Sequence, residues 1–473
     1  MKRPRFTSRS TKNPFHFLAV ALGTTALTGL LAAGPASSDT LTEALAAAYQ
    51  TNPVLQGQRA QLRATDEQVP QALSGWRPNL QAQGSYGAVD ARTELNGGIQ
   101  TKDSLRPLNG SVTLSQNIFA GGRTVNATDQ AEASVRAGRA TLESVEQTTL
   151  LNAVRAYMDV IRDQSVVELN KNNVQVLKRQ LEATTDRFRV GELTRTDTAQ
   201  AEARLSQARS SLTAAEAQLT ASRSFYQRVV GQMPGTLERP ESVAGLPQSE
   251  EDARRIAEEN NPTLRAARHG EEATRSAINV AKGALLPTFD VQAQYRYGRD
   301  PSSTISTIRD VEESSILGVL TIPLYQSGVE YSQVREAKER NNQSRMEVMA
   351  ALREVDEAVR NAWEVLRASR SSIVSTTEQV RASEIALEGV KQESEVGART
   401  TLDVLNAEQE YLNARVALVS AERDLAVAEY GLLAGMGMLT ARQLELPVEY
   451  YDPQENYGEV RNKLIGFGTA GDE

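Results

Sequence analysis

Val190-Gly191-Glu192-Leu193-Thr194-Arg195-Thr196-Asp197 and Val396-Gly397-Ala398-Arg399-Thr400-Thr401-Leu402-Asp403 are two copies of one turn. In each, a glycine (Gly191, Gly397) ends one helical stretch where a positive φ is needed. A threonine then stands three residues before an aspartate, the spacing of a capping box that opens the next helix. Outward from these turns the chain repeats itself. Asn52-Pro53-Val54-Leu55 returns as Asn261-Pro262-Thr263-Leu264, and Ala153-Val154-Arg155 as Ala358-Val359-Arg360. Pro78-Asn79-Leu80-Gln81-Ala82-Gln83-Gly84-Ser85-Tyr86-Gly87 returns as Pro287-Thr288-Phe289-Asp290-Val291-Gln292-Ala293-Gln294-Tyr295-Arg296. Four ordered matches at a shift of 205–209 residues define an internal duplication over nearly the whole of both halves.

Each half, 39–232 and 249–436, carries the same order of elements, with a linker at 233–248 and an extension at 437–473. A helical stretch, Leu41–Leu73 or Glu250–Leu285, is followed by two strands around a polar loop. The strands are expected over about 79–90, 108–119, 287–298 and 313–324. Leu80, Ala82, Gly84, Tyr86 and Ala88 share one face, and Gln81, Gln83 and Ser85 the other. Phe289, Val291, Ala293, Tyr295 and Tyr297 oppose Asp290, Gln292, Gln294 and Arg296 in the same way, and the fourth strand alternates less cleanly. A half-buried soluble sheet would show this alternation too. Length separates the readings, because ~10 residues is the span of a strand in a membrane barrel.

Two very long helices then follow in each half, over about 122–190 and 194–231, and 327–395 and 400–436. Their apolar residues step by three and four, as in Val174, Leu177, Leu181, Thr184 and Phe188, or Val404, Ala407, Tyr411, Ala414 and Leu418. Large residues alternate with Ala or Ser along each seam, which lets several helices pack closely side by side. A fibrous coiled coil would share these seams but leaves the paired strands unexplained.

The chain has 473 residues, a net charge of -8 and no cysteine. Five of its cations, Lys2, Arg3, Arg5, Arg9 and Lys12, lie in the first stretch, so the remainder is more acidic still. That argues against a nucleic-acid partner. A basic head, an apolar run from Phe15 to Ala33 and small residues after Gly34 read as a secretory signal over 1–38, cleaved after Ala36 or Ser38. The alternative is an uncleaved anchor. The two histidines are His16, in the leader, and His269, expected on a solvated helix surface. No phosphate loop, metal-ligand cluster or nucleophile–base pair suggests catalysis, a cofactor or a metal.

The turns, together with Asp403-Val404-Leu405-Asn406-Ala407 and the strand ends Ile118-Phe119-Ala120-Gly121-Gly122 and Leu324-Tyr325-Gln326-Ser327-Gly328, resemble the TolC-type outer-membrane factors of tripartite efflux pumps and type I secretion. The resemblance covers almost all of the chain after the leader. It implies an α+β membrane protein, a long antiparallel coiled-coil helical tunnel with four β-strands per protomer in a trimeric transmembrane β-barrel. The loops Asp90–Arg106 and Arg299–Glu313 would face the cell exterior. The implied function is a passive exit duct in outer-membrane lipid, extending into the periplasm and gated at its periplasmic helix tips. Its partners would be two more copies of itself, a periplasmic adaptor (membrane fusion protein) and an inner-membrane transporter. A periplasmic coiled-coil adaptor or scaffold is the alternative.

By the same resemblance, Asp403 belongs to an acidic ring at the narrowest point, while Asp197, Thr196 and Arg399 link neighbouring coils. The family's well-known example has a second aspartate where this chain has Asn406, and a linking tyrosine where it has Ser394. For Asp197 and Asp403 the capping role and the gating role both stay open.

Overall fold

A computed structural model describes residues 40–95, 97–299 and 310–468. The expected leader over 1–38 and most of the loop Arg299–Glu313 lie outside the described residues. The first half runs α1 (Leu41–Thr51), α2 (Pro53–Asp66), α3 (Gln68–Leu73), β1 (Asn79–Tyr86), β2 (Val89–Leu95), β3 (Ile99–Leu105), β4 (Leu108–Ala120), α4 (Arg123–Arg189) and α5 (Arg195–Val230). The second runs α6 (Glu250–Asn260), α7 (Pro262–Gly283), β5 (Thr288–Arg299), β6 (Asp310–Thr321), α8 (Val329–Glu395) and α9 (Thr401–Gly435), and α10 (Glu455–Val460) follows. Helices α4 and α8 have 67 residues each, or ~100 Å at 1.5 Å per residue.

The helical stretches expected to be continuous over Leu41–Leu73 and Glu250–Leu285 are broken, and the breaks explain the repeated Asn-Pro-x-Leu. Proline forces the residue before it out of the α region, so Asn52 and Asn261 are extended and end α1 and α6. Each asparagine then makes two kinds of bond. Asn52 Oδ1 accepts from Val54 N at 3.0 Å while its Nδ2 donates to Val229 O at 2.9 Å. Asn261 Oδ1 accepts from Thr263 N at 2.9 Å while its Nδ2 donates to Gly435 O at 3.0 Å. One amide therefore caps a new helix and staples it to the last turn of the long helix in the same half. Leu55 and Leu264, three residues on, are fully buried beneath these joints.

Strands β1, β4, β5 and β6 form one antiparallel sheet in that order, joining the two halves through β4 and β5. Directly opposed residues share a face. Leu80, Leu114, Ala293 and Ile316 make one row across all four strands, and Gln81, Thr113, Gln294 and Ser315 make the next. One face is thus mainly apolar and the other mainly polar, and the apolar one is uncovered: Leu80 is 70% and Ile316 79% exposed. The outer sides of β1 and β6 have no strand partner among the described residues.

Two strand limits differ from expectation. The strand expected over 79–90 stops at Tyr86, and the region Asp90–Arg106, expected as a loop, holds the separate hairpin β2–β3. The strand expected over 313–324 lies at Asp310–Thr321.

Each half has its own core. In the first, Leu45, Leu55, Leu150, Tyr157 and Tyr226 pack together, joined by Leu439, Ala441 and Leu446 from the C-terminal extension. In the second, Ala253, Leu264, Val355, Leu366 and Leu432 do so. Among the described residues no helix is long and apolar enough to cross a membrane.

If the joints are equivalent, Asn52→Ala and Asn261→Ala will each destabilise the fold by ~1–3 kcal/mol, since each removes a cap and strands a buried carbonyl. Denaturant titration followed by helical circular dichroism measures both. A loss at one position only would mean that the joints are not equivalent.

Candidate functional site

Both hairpin tips, between α4 and α5 and between α8 and α9, are built alike. The last helical turn closes when Glu192 N donates to Arg187 O at 2.9 Å, and Ala398 N to Glu393 O at 2.8 Å. This places Gly191 at φ 82° and Gly397 at φ 78°. A Cβ at either glycine would meet nothing within 4 Å, so the backbone angle, not space, requires glycine.

The next helix starts on a complete capping box in both copies. Asp197 Oδ2 accepts from Thr194 N at 2.9 Å and from Thr194 Oγ1 at 2.7 Å, and Thr194 Oγ1 accepts in turn from Asp197 N at 3.3 Å. Asp403 and Thr400 repeat this at 2.9, 2.8 and 3.3 Å. The threonine bonds hold both carboxyls below the usual carboxylate range: the hydroxyl bond is foremost at Asp197, the backbone bond at Asp403. The capping bonds to both carboxylates fall on Oδ2, so capping uses one oxygen of each.

Arg399 stays within its own turn, donating from Nε to Glu393 Oε2 at 2.7 Å. Within the chain it does not meet Asp197, and Thr196 is exposed. The first turn holds a comparable pair, Arg187 with Glu192 at 3.1 Å. Ser394 supplies a backbone carbonyl to Gly397 N at 3.2 Å. Asn406 is not free: its Oδ1 accepts from Arg204 Nη2 on α5 at 2.8 Å. Beside this bond Leu405 is buried against Leu177, Leu205 and Ala208. The tip of the second hairpin is thus tied to the first by one polar contact and one small apolar cluster.

Arg204 was not singled out from sequence. The available signal was its place seven residues after Asp197, on the same face of α5. Its partner is 202 residues away, beyond any local pattern. His269, expected to be solvated, is half-buried with Nδ1 3.0 Å from Glu272. Among the described residues no group of His, Asp or Glu could hold a metal ion.

The sequence profile of the family described as outer membrane efflux protein matches residues 44–231 and 254–438. The chain belongs to that family. The two matched stretches are the two copies of the duplication. Relatives in the outer membrane efflux protein family include the outer membrane efflux protein BepC of Brucella suis biovar 1, 38% identical over 461 residues, covering 95% of this chain and 96% of that one. The outer membrane protein TolC of Vibrio cholerae serotype O1 is 25% identical over 434 residues, covering 90% and 96%. In fold the chain is similar to the outer membrane protein VceC from Vibrio cholerae, with a TM-score of 0.72 at 19% identity, over 84% of this chain and 96% of that one.

Folded carboxyls with lowered pKa stabilise fully above the unfolded value of about 3.9 and lose that contribution as pH falls through the lowered value. Amide exchange in the first turns of α5 and α9, measured relative to the intrinsic rate at each pH, will therefore stay slow from about pH 7 to about pH 4 and quicken below it. Asp197→Ala and Asp403→Ala will quicken it already at neutral pH. Unchanged exchange in both variants would show that the caps do not hold these turns.

Proposed function

We propose that the chain is a passive outer-membrane exit duct, assembled as a trimer and closed at its periplasmic hairpin tips. One observation carries this reading: a four-stranded sheet with an uncovered apolar face and two edges unpaired among the described residues. Hydrocarbon tolerates no open edge, and three such sheets joined edge to edge close a barrel. The mainly polar face would line a wet lumen and the mainly apolar face would meet lipid. The four long helices of each protomer would continue the lumen as a tunnel. A periplasmic scaffold has no use for an apolar sheet face.

The duct does no chemistry of its own. A periplasmic adaptor and an inner-membrane transporter supply cargo and energy, as befits a tripartite efflux or type I secretion assembly. The leader over 1–38 directs the chain out of the cytoplasm. At the tips Asp403 has two roles. One oxygen caps α9, and three copies form an acidic ring that concentrates cations at the mouth. Arg399 links adjoining coils by exchanging Glu393 for Asp197 or the Thr196 region. Exposed ion pairs are worth only ~0–1 kcal/mol, so the exchange is cheap in either direction.

Planar-bilayer recordings test the reading. The channel will favour cations and be blocked by a trivalent cation from the periplasmic side, less so as salt screens the ring. Asp403→Ala will abolish most of the block. Arg399→Ser combined with Asp197→Ala will raise conductance while leaving the block largely intact. A trimer whose Asp403→Ala variant keeps selectivity and block would reduce Asp403 to a cap.

A further inference from the structure

We infer that neighbouring protomers are joined at the tips by a hydrogen bond between Glu410 of one chain and Gln200 of the next. This pair is the counterpart, across the protomer boundary, of the Arg204–Asn406 bond within one chain. The inference rests on the trimeric reading above.

At the tips the two copies align at a shift of 206 residues, which sets Asp197 on Asp403, Gln200 on Asn406 and Arg204 on Glu410. Within one chain the contact runs from Arg204 of the first copy to Asn406 of the second, at 2.8 Å. In a ring of three duplicated chains, each second copy faces the first copy of the next chain. If the ring closes by repeating one contact, the second contact runs from Glu410 to Gln200.

The chemistry fits at both places. Within a chain a guanidinium donates to an amide oxygen; between chains a carboxylate would accept from an amide nitrogen. The side chains are placed for it. Glu410 is exposed and has no hydrogen-bond or ion-pair partner among the described residues. The oxygen of Gln200 is already buried in its own protomer, where it meets no donor. Its amide nitrogen is the donor that the pair requires. Gln200 and Arg204 are four apart on α5, as are Asn406 and Glu410 on α9, so each pair shares a helix face. One turn of each helix would serve the neighbour on one side and the next turn the neighbour on the other.

Divergence of the copies at this position also removes a conflict. Had the duplication kept arginine at both places, the layer would crowd six cations around one axis. With Glu410 the charges alternate and cancel, leaving Asp403 to set the field at the mouth.

The chain has no cysteine, so an introduced pair is the only one present. Gln200→Cys with Glu410→Cys, treated in the detergent-solubilised full-length protein with a short bis-maleimide, will give covalent dimers and trimers on a denaturing gel. Arg204→Cys with Asn406→Cys will run as a monomer, with its cross-link found within one chain by peptide mass spectrometry. Glu410→Ala and Arg204→Ala will each raise single-channel conductance several-fold. A Gln200→Cys, Glu410→Cys sample that is trimeric before denaturation and yields no interchain product overturns the pair. A sample that is not trimeric before denaturation overturns the trimeric reading instead.

Discussion

Backbone N–H and C=O groups along the outer sides of β1 and β6 set the terms for everything else in this protein. In water such an edge is a hazard that invites pairing with another chain. In hydrocarbon it costs several kcal/mol per unsatisfied group. Covering the edges with a helix would leave the apolar rows through Leu80 and Ile316 without a solvent to suit them. On the proposed reading, pairing β1 of one copy with β6 of another would satisfy the backbone and keep that face on one side of a continuous wall. The duplicated sequence then has a simple logic, since two copies each supply half of a sheet whose strands meet at β4 and β5.

The long helices face a different problem. Helices ~100 Å long must hold register without the help of one round core. Apolar seams of alternating large and small residues give closeness but little discrimination between registers. A polar layer in the middle of the bundle supplies it. Arg162 bonds Asp163 at 2.7 Å and Asp159 at 3.2 Å on α4, and Arg423 on α9 reaches Asp159 at 2.9 Å. Ser222 on α5 donates to Asp163. Such half-buried ionic groups add little net stability because of their desolvation cost, but a shift of one turn would break the two bonds that cross helices, Arg423 to Asp159 and Ser222 to Asp163. The layer thus fixes how α4, α5 and α9 line up, and with them how the tips meet.

How much of this could be read from the sequence depended on the range of each interaction. The glycine turns and both capping boxes are local, and Thr194 with Asp197 or Thr400 with Asp403 announce themselves by spacing alone. The β2–β3 hairpin was equally local and was missed: Leu95-Asn96-Gly97-Gly98-Ile99 carries an Asn-Gly turn signal between alternating segments, but the polar composition around it was read as loop. The breaks at Asn52 and Asn261 are marked in the sequence by Pro53 and Pro262, although the segments on either side both read as helix. Arg204 was out of reach, because nothing near it in the chain marks Asn406 as its partner. The pairing of β1 with β4 across the hairpin, and of β4 with β5 across the halves, likewise depends on contacts far apart in sequence.

The same contrast of ranges separates the thickly packed body of the molecule from its thinly packed tips. In the body, Tyr157, Leu150, Val154 and Leu55 are shut away from water within a large cluster that also recruits the C-terminal extension. At the tips the apolar cluster shrinks to Leu177, Leu205, Ala208 and Leu405, with Val174 and Leu181 against it, and the Arg204–Asn406 bond beside it is exposed. Regions with few buried apolar contacts open at a small fraction of the global stability. On the proposed reading, an iris at the tips would need no hinge engineered into the helices. The seams already grow weaker toward the turns, and the caps would keep each hairpin folded while contacts between hairpins broke. Opening would then cost the exposed links and one small cluster, a few kcal/mol at most by the worth of such contacts, which lies within reach of a docking partner.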